Sequence, residues 1–567
     1  MRVLSHADRG SVGMSSARLV ITELKLCATA VGVLVLAAWG SGASVAQGAG
    51  LSVAQGAGLS VAQGAGLSVA QGFSPVSFAQ TDVRPPAVAG GFYPAEAGKL
   101  RAAIEAYLAS AQPPRGAAPV AIVVPHAGYV FSGQITADAF KQAAGQPYDT
   151  VVILGTNHTD PVFDRIAAYP GAGFRTPLGT ASIDQAALAA LMKDDPDVVW
   201  NARPHEREHS VEVQVPFVQY LFPAAKIVPL VIGTPDAAMC ERLGRSLAKV
   251  LQGRRALIVA SSDLSHYPAV SDARRADRET LETIASLDAA RMRATLARHV
   301  ERGVPQLVTG ACGEAPILVA IAAARALGVT RGTIVSYANS ADSPAGDPSR
   351  VVGYGAVTMA PGLPPPGAAS DGASLDGPVA ADLSAPLTLG DKRALVRHAR
   401  DTITRIVRTD TAPLSRGIEA RLMREQGVFV TLRKHGELRG CIGRIIPDGP
   451  LHWLVGAMAL QAATNDPRFD PVRADELNQI ELDVSILTTP REIARPGDIV
   501  IGRDGVILSK NGRSAVFLPE VAVEQGWSRD EMLDNLCLKA GLPRGSWRTG
   551  AKLATFQSML IRETDVR

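Results

Sequence analysis

The sequence predicts an α/β protein whose sheet is mostly parallel and helix-covered, followed by a smaller α+β domain. Short Val/Ile-rich runs at 121–124, 151–155, 227–232, 256–260, 333–337 and 351–358 alternate with helical stretches such as 95–110, 237–251 and 316–327. That alternation is the pattern of βα units. Several runs end in a histidine, aspartate or small-residue turn, the place where α/β proteins present their chemistry. After residue 386 strands and helices alternate less regularly, as in an α+β domain.

The chain has 567 residues, 47% of them hydrophobic and 20% charged, enough for two or three ordinary globular cores. A net charge of +3 with no Lys/Arg stripe argues against nucleic acid as a partner. The cysteines, Cys27, Cys240, Cys312, Cys441 and Cys537, form no CxxC pair, which argues against a disulfide framework or a zinc knuckle.

Residues 1–46 read as a leader. The apolar stretch Ala28–Trp39 is shorter than the roughly 20 residues that span a bilayer, and small residues follow at Ser44-Val45-Ala46. A secretory signal cleaved after Ala46 is expected, with an uncleaved membrane anchor as the alternative. Glu23 and the long lead-in make the charged region irregular, and Met14 offers a later start. The leader implies an exported, periplasmic or membrane-anchored protein, and a misassigned start implies a cytoplasmic one; membrane contact is expected only through this segment. Residues 47–82 continue an octad, SVAQGAGL, that begins at Ser44, Ser52 and Ser60. With little to bury, it reads as a spacer.

The first domain spans residues 83–361. The run 121–124 delivers Pro125-His126-Ala127-Gly128, and the run 151–155 delivers Thr156-Asn157-His158. The run 256–260 ends in Ser261-Ser262-Asp263-Leu264-Ser265-His266, and Cys312 stands between small residues just before a helix, where thiolate is favoured. Imidazole and thiolate are ligands of borderline transition metals, and three protein ligands leave positions open for chemistry. His126, His158 and Cys312 are therefore the expected ligands, with Asp263 and His266 completing the shell or moving protons. One local motif competes. His205-Glu206-Arg207-Glu208-His209 satisfies HExxH, a zinc-peptidase signature when it lies on a helix. Pro204 before it and the β-branched, proline-stopped stretch after it oppose that helix.

Residues 362–386, rich in Pro, Gly, Ala and Ser, read as a linker. The second domain, 387–567, places Cys441 between Gly440 and Ile442-Gly443, with Arg439 beside it. Cys441 is a candidate nucleophile, against a close-packed turn as the simpler reading; Arg439 is a candidate anion ligand, against an ordinary surface arginine.

The motifs VRPPAVAGGFYP, VPHAGYVFSG, GTNH, REHSVEVQVPF, SSDLSHY and TGACG occur in the order seen in the Memo family, which the first domain resembles over essentially its whole length. Memo proteins resemble the extradiol-type, non-haem iron dioxygenase fold. The resemblance implies that His126, His158 and Cys312 line a metal pocket, with Asp263 and His266 beside it and His209 in the same cleft. It also recasts the HExxH match as an E-H-S-x-E element. Dioxygenases of that fold hold iron with two histidines and a carboxylate, so a cysteine departs from the set and points toward softer metals such as copper(I), or a redox role. Iron or copper is the expected cofactor, ahead of zinc.

LRGCIG, NDPRFDPV, VFLPEVAVEQGW and LCLKAGLP resemble the AMMECR1 family across 387–567. The pairing resembles a fusion of the B and A parts of the AmmeMemoRadiSam system, whose third component is a radical-SAM protein. This chain lacks a three-cysteine cluster motif, so that partner would be a separate chain; a small molecule or peptide is expected in the Memo cleft. The leading reading is a metal-dependent oxidoreductase. A non-enzymatic metal- or peptide-binding scaffold is the alternative, and a zinc metallopeptidase the lesser one.

Overall fold

The computed structural model describes residues 82–362 and 385–566. The leader, nearly all of the octad spacer and most of the linker lie outside the described residues. Among those described, no helix is long and apolar enough to cross a membrane.

The first domain is built on an eight-stranded sheet. Its strands are β2 (Ala121–Val124), β3 (Thr150–Thr156), β4 (Ile166–Ala168), β7 (Val198–Trp200), β8 (Lys226–Ile232), β9 (Ala256–Ser261), β10 (Gly332–Asn339) and β11 (Gly353–Met359), in the order β10-β11-β2-β9-β3-β8-β4-β7. The central four, β2-β9-β3-β8, are parallel. Antiparallel pairing joins β11 and β10 on one side and β4 on the other. The expected mostly parallel sheet is therefore present, and the antiparallel flanks are an addition. Every residue of β2 and β11 is buried. Successive side chains of a strand point to opposite faces, so full burial means that both faces are covered. The helices Glu314–Ala326 and Ala237–Val250 pack against each other, and the former also packs on β2, β3 and β9; Tyr129–Ala143 packs on β2, β10 and β11.

A small sheet of β1 (Val83–Arg84), β5 (Gly173–Thr176) and β6 (Gly179–Ser182) holds the start of the domain. Its anchor is electrostatic. Arg84 and Glu212 are buried and paired at 2.6 Å. Glu212 also accepts from the Ala87 and Val88 amides at 2.8 and 3.0 Å and from the Tyr93 hydroxyl at 2.6 Å. Arg84 donates onward to the carbonyls of His205 and Glu208. The VRPPAVAGGFYP motif is thus clamped onto the E-H-S-x-E element, and each charge carries enough partners to offset its desolvation.

The second domain has two hydrophobic cores. The antiparallel sheet β13-β12-β14-β19 (Glu437–Arg444, Val428–Lys434, Ile480–Leu487, Ser558–Arg562) packs with the helices Leu389–Thr409 and Leu451–Thr464. A second antiparallel sheet, β15-β18-β16-β17 (Arg491–Ile493, Lys552–Phe556, Gly505–Lys510, Arg513–Phe517), packs with the helix Arg529–Lys539 around Leu508, Leu533 and Leu536. Between the first two helices lie His398 and His452, buried and stacked with ring centroids 3.9 Å apart. Among the described residues His398 Nε2 has no hydrogen-bonding partner, and a Cβ on Gly456 would stand 2.4 Å from it.

Two outcomes follow from these buried charges and rings. Glu212→Ala strands Arg84 without its carboxylate and is expected to destabilise the first domain by about 3–5 kcal/mol, read from the denaturant midpoint. Burial, reinforced by the neighbouring ring, holds His398 well below the usual histidine range, and burial brings His452 down to about 4. A histidine disfavoured as the cation in the fold stabilises it above pH 6.5 and loses that contribution as pH falls toward the folded value. Second-domain stability should therefore drop between pH 6.5 and 4 by up to about 1.4 kcal/mol per pH unit for each histidine, with His398→Phe removing about half the slope in pH-dependent denaturation.

Candidate metal centre

The register of the parallel strands explains why distant motifs meet. Val124 of β2 is paired with Ser261 of β9, so His126 and Asp263, each two residues further on, leave the sheet at the same level. Leu154 of β3 is paired with Ala260, and the β3 exit carries His158 to the same edge. The fourth approach is from below this edge. A Cβ on Gly155 would stand 2.6 Å from Ser210 Oγ and Val211 Cγ2, so only glycine lets the short helix His209–Glu212 pass the end of β3. Gly313 plays the corresponding part beside Cys312, where a Cβ would stand 2.4 Å from the Ser261 carbonyl oxygen.

Two overlapping ligand groups result. His126, His158 and His209 present donor atoms that all lie within 4.8 Å of one another, and so do His126, Asp263 and Cys312. Cys312 Sγ is 3.1 Å from His126 Nε2. The expected trio of His126, His158 and Cys312 thus appears in a different grouping: His209, expected only within the cleft, stands with the first two, and Cys312 pairs with His126. His266 belongs to neither group. It is bridged to Val352, and its Nε2 is buried with no partner among the described residues.

Hydrogen bonds behind the rings fix which nitrogen faces the cleft. Ser261 has one hydroxyl proton, which it donates to the Ser210 carbonyl at 2.6 Å, while accepting from Gln214 Nε2 at 3.0 Å. His126 Nδ1, 3.1 Å from the same oxygen, must then be the donor, leaving the Nε2 lone pair toward Cys312. His158 Nδ1 donates to Glu208 Oε1 at 2.9 Å, and the His158 amide donates to Oε2 at 2.7 Å. The same Oε1 is 3.4 Å from His209 Nδ1 and accepts from the Ser210 amide. One buried carboxylate therefore orients two histidines, as outer partners do in metal sites.

The electrostatics agree. Burial, with the charges of His158 and His209, holds His126 well below the usual histidine range. Burial brings His209 down to about 4 and His266 to about 4. His158 is disfavoured as a cation by burial, but the Glu208 charge and hydrogen bond, together with the Asp263 charge, outweigh this and raise it. Burial lifts Asp263 to about 7 although the His126 and Ala127 amides donate to it. Imidazoles, of which His126 and His209 are held neutral, a cysteine sulfur and a carboxylate are a donor set suited to a transition metal.

The HExxH match forms no zincin helix, as Pro204 and the stretch after it indicate. Arg203–His205 is a single 3₁₀ turn and a separate helix starts at His209, because Pro204 and the extended Glu208 backbone interrupt the run. His205 is buried away from the cleft, its Nε2 donating to the Ala167 carbonyl at 3.0 Å. Glu208, Ser261 and Gln214 were not singled out as site residues; the acidic spacing of E-H-S-x-E was the available signal.

In the second domain Cys441 lies in strand β13, opposite Thr431, so the turn reading is corrected. Thr431 Oγ1 donates to its Sγ, and its amide donates to Asp466. Arg439 is engaged by Glu476 at 2.9 and 3.2 Å and by the Asp470 carbonyl, which makes it part of an ion pair on this surface.

Fold and site together define an α/β protein with a histidine-rich, thiol-bearing centre at the carboxyl ends of its parallel strands. The family model described as Memo-like protein matches residues 84–358, and the AMMECR1 model matches 396–561. A MEMO1 family protein of Methanopyrus kandleri is 35% identical over 290 residues, covering 49% of this chain and 98% of that protein. A MEMO1 family protein of Aquifex aeolicus is 36% identical over 276 residues, covering 48% and 97%. A solved structure of an uncharacterized protein from Pyrococcus horikoshii is 36% identical, covers 30% of this chain and 89% of that one, and has a TM-score of 0.29. The chain belongs to the MEMO1 family and carries an AMMECR1 domain in addition.

Glu208→Ala removes the acceptor that orients His158 and His209. Its affinity for divalent metal, measured by calorimetric titration, is expected to fall ten- to a hundredfold or about that, with the fold retained by circular dichroism.

Proposed function

We propose that the first domain is a metal-dependent redox centre holding iron or copper. The observation that carries this reading is the convergence of His126, His158 and His209 within 4.8 Å, with Cys312 Sγ 3.1 Å from His126 Nε2. Imidazoles suit iron, copper and zinc alike, and the added thiol favours a soft or redox-active ion over a hard one. When bound, such a metal supplies one-electron chemistry and Lewis acidity. The protein's own groups then have separable tasks. Glu208 and the Ser261 relay keep the imidazole lone pairs directed into the cleft. Asp263, raised to about 7 by burial, can hold or release a proton near neutral pH, as a general acid or base must. His266, neutral with an unpartnered Nε2, is the second group able to take or give a proton. The half-exposed Phe92 ring, 4.7 Å from that of His209, supplies an apolar wall for a small molecule.

The competing scaffold reading shares the metal and lacks turnover. Protein purified anaerobically is expected to contain about one iron or copper per chain by elemental analysis, with His126→Ala reducing it at least about tenfold and Cys312→Ser weakening retention. Unchanged stoichiometry in both variants rules out this centre. Metal-dependent oxygen uptake favours the enzyme, and bound metal without uptake across substrate panels favours the scaffold.

A further inference from the structure

The second domain contacts the first at several points, including the helix Ala97–Ala109, where Lys99 pairs with Asp410 at 3.2 Å and Arg405 reaches Ser110 at 3.3 Å; two of the contacts lie on segments that lead to the metal cleft. At the first, Arg416 reaches Asp138 at 2.5 Å. Asp138 is fully buried in the helix Tyr129–Ala143, which starts three residues after His126, and it also accepts from Ser336 Oγ and the Gln112 amide. A buried carboxylate needs a compensating cation, and here the cation comes from the other domain.

The second anchor is the corner 340–343. Trp453 Nε1 donates to the Ser343 carbonyl at 3.1 Å, and the Ser415 amide donates to the Asp342 carbonyl at 2.7 Å. The corner is in turn tied to the site. Ser343 Oγ donates to the Val130 carbonyl in the first turn of the helix that follows His126. The Ser340 amide donates to the Val352 carbonyl at 2.9 Å, the Val352 amide donates to Ser340 Oγ at 3.1 Å, and Val352 is bridged to His266. Two hydrogen-bonded links therefore separate the docking corner from His266, and one helix separates the Arg416 anchor from His126. Leu414, just before Ser415 and Arg416, packs on the first-domain core.

We propose that docking of the AMMECR1 domain regulates the metal centre: the docked domain holds the His126 segment in its ligand-binding position and the His266 segment in place beside it, and metal binding tightens docking in return. This rests on the reading of His126, His158, His209 and Cys312 as a metal site. Reciprocity is required, because a docking equilibrium that changes metal affinity is changed by metal to the same degree. Coupling through contiguous hydrogen bonds and one rigid helix is physically direct.

The test uses the full chain. Trp453→Phe keeps the ring and removes the donor to Ser343, and Arg416→Met keeps the length and removes the charge. Ferrous ion under anaerobic conditions, and cuprous ion separately, are titrated into wild type and both variants. Hydrogen exchange of the wild type is followed with and without each metal. Each variant is expected to bind metal about tenfold more weakly, within the usual range of site-to-site coupling. Metal should slow exchange in 129–143, 340–343 and 412–416 of the wild type. Wild-type metal binding with unchanged affinity in folded variants, and no protection at 412–416, overturns the coupling and leaves the metal site standing. If a variant fails to fold, the wild-type exchange decides alone, protection at 412–416 supporting the proposal and its absence overturning it. Failure of the wild type to bind either metal removes the site itself, and the coupling with it.

Discussion

The constraint on which the first domain depends is the parallel register of β2, β9 and β3. Because Val124 pairs with Ser261 and Leu154 with Ala260, three chain exits open at one level of one edge, and His126, Asp263 and His158 have nowhere else to go. Neighbouring strands are about 4.8 Å apart, which sets the spacing of the side chains just beyond them. Burial of β2 on both faces keeps water from the base of the cleft. The same burial makes each polar group there expensive unless partnered.

Two buried glutamates resolve that expense. Glu212 gathers Arg84, two amides and Tyr93, and so closes the start of the domain over the cleft. Glu208, four residues earlier, turns the imidazoles of His158 and His209 with their Nε2 atoms toward one space. Stability and site geometry are therefore held by one short element. The two carboxylates have different tasks, since one is matched to a guanidinium and the other to the ring nitrogen of His158 and the amides beside it.

Much of this was legible in the chain. The Val/Ile runs marked all the central strands because a strand buried on both faces needs an unbroken apolar run. The three-residue strands β4 and β7 were not legible, since so short a run has no period to detect. The histidines, Asp263 and Cys312 stood out by residue type and by their place after a strand or before a helix. The HExxH match has the local spacing of a zinc helix, and Pro204 with the β-branched residues that follow was enough to argue against it. In the second domain Cys441 read as a turn because of its flanking glycines. Those glycines instead serve close packing: a Cβ on Gly440 would stand 2.4 Å from the Ala462 carbonyl oxygen.

By itself the sequence determined the α/β class, the two-domain division and the set of residues capable of chemistry, because apolar period and residue type are local properties. Tertiary structure decided which of those residues share a cleft: His209 with His126 and His158, Cys312 with His126 and Asp263, His205 with none of them. It also decided which ring nitrogen each imidazole presents, through the single proton of Ser261 and the two oxygens of Glu208. Those outcomes depend on strand register and on contacts between residues fifty or more positions apart in the chain, such as His158 and Glu208 or His126 and Ser261, and no local pattern encodes them.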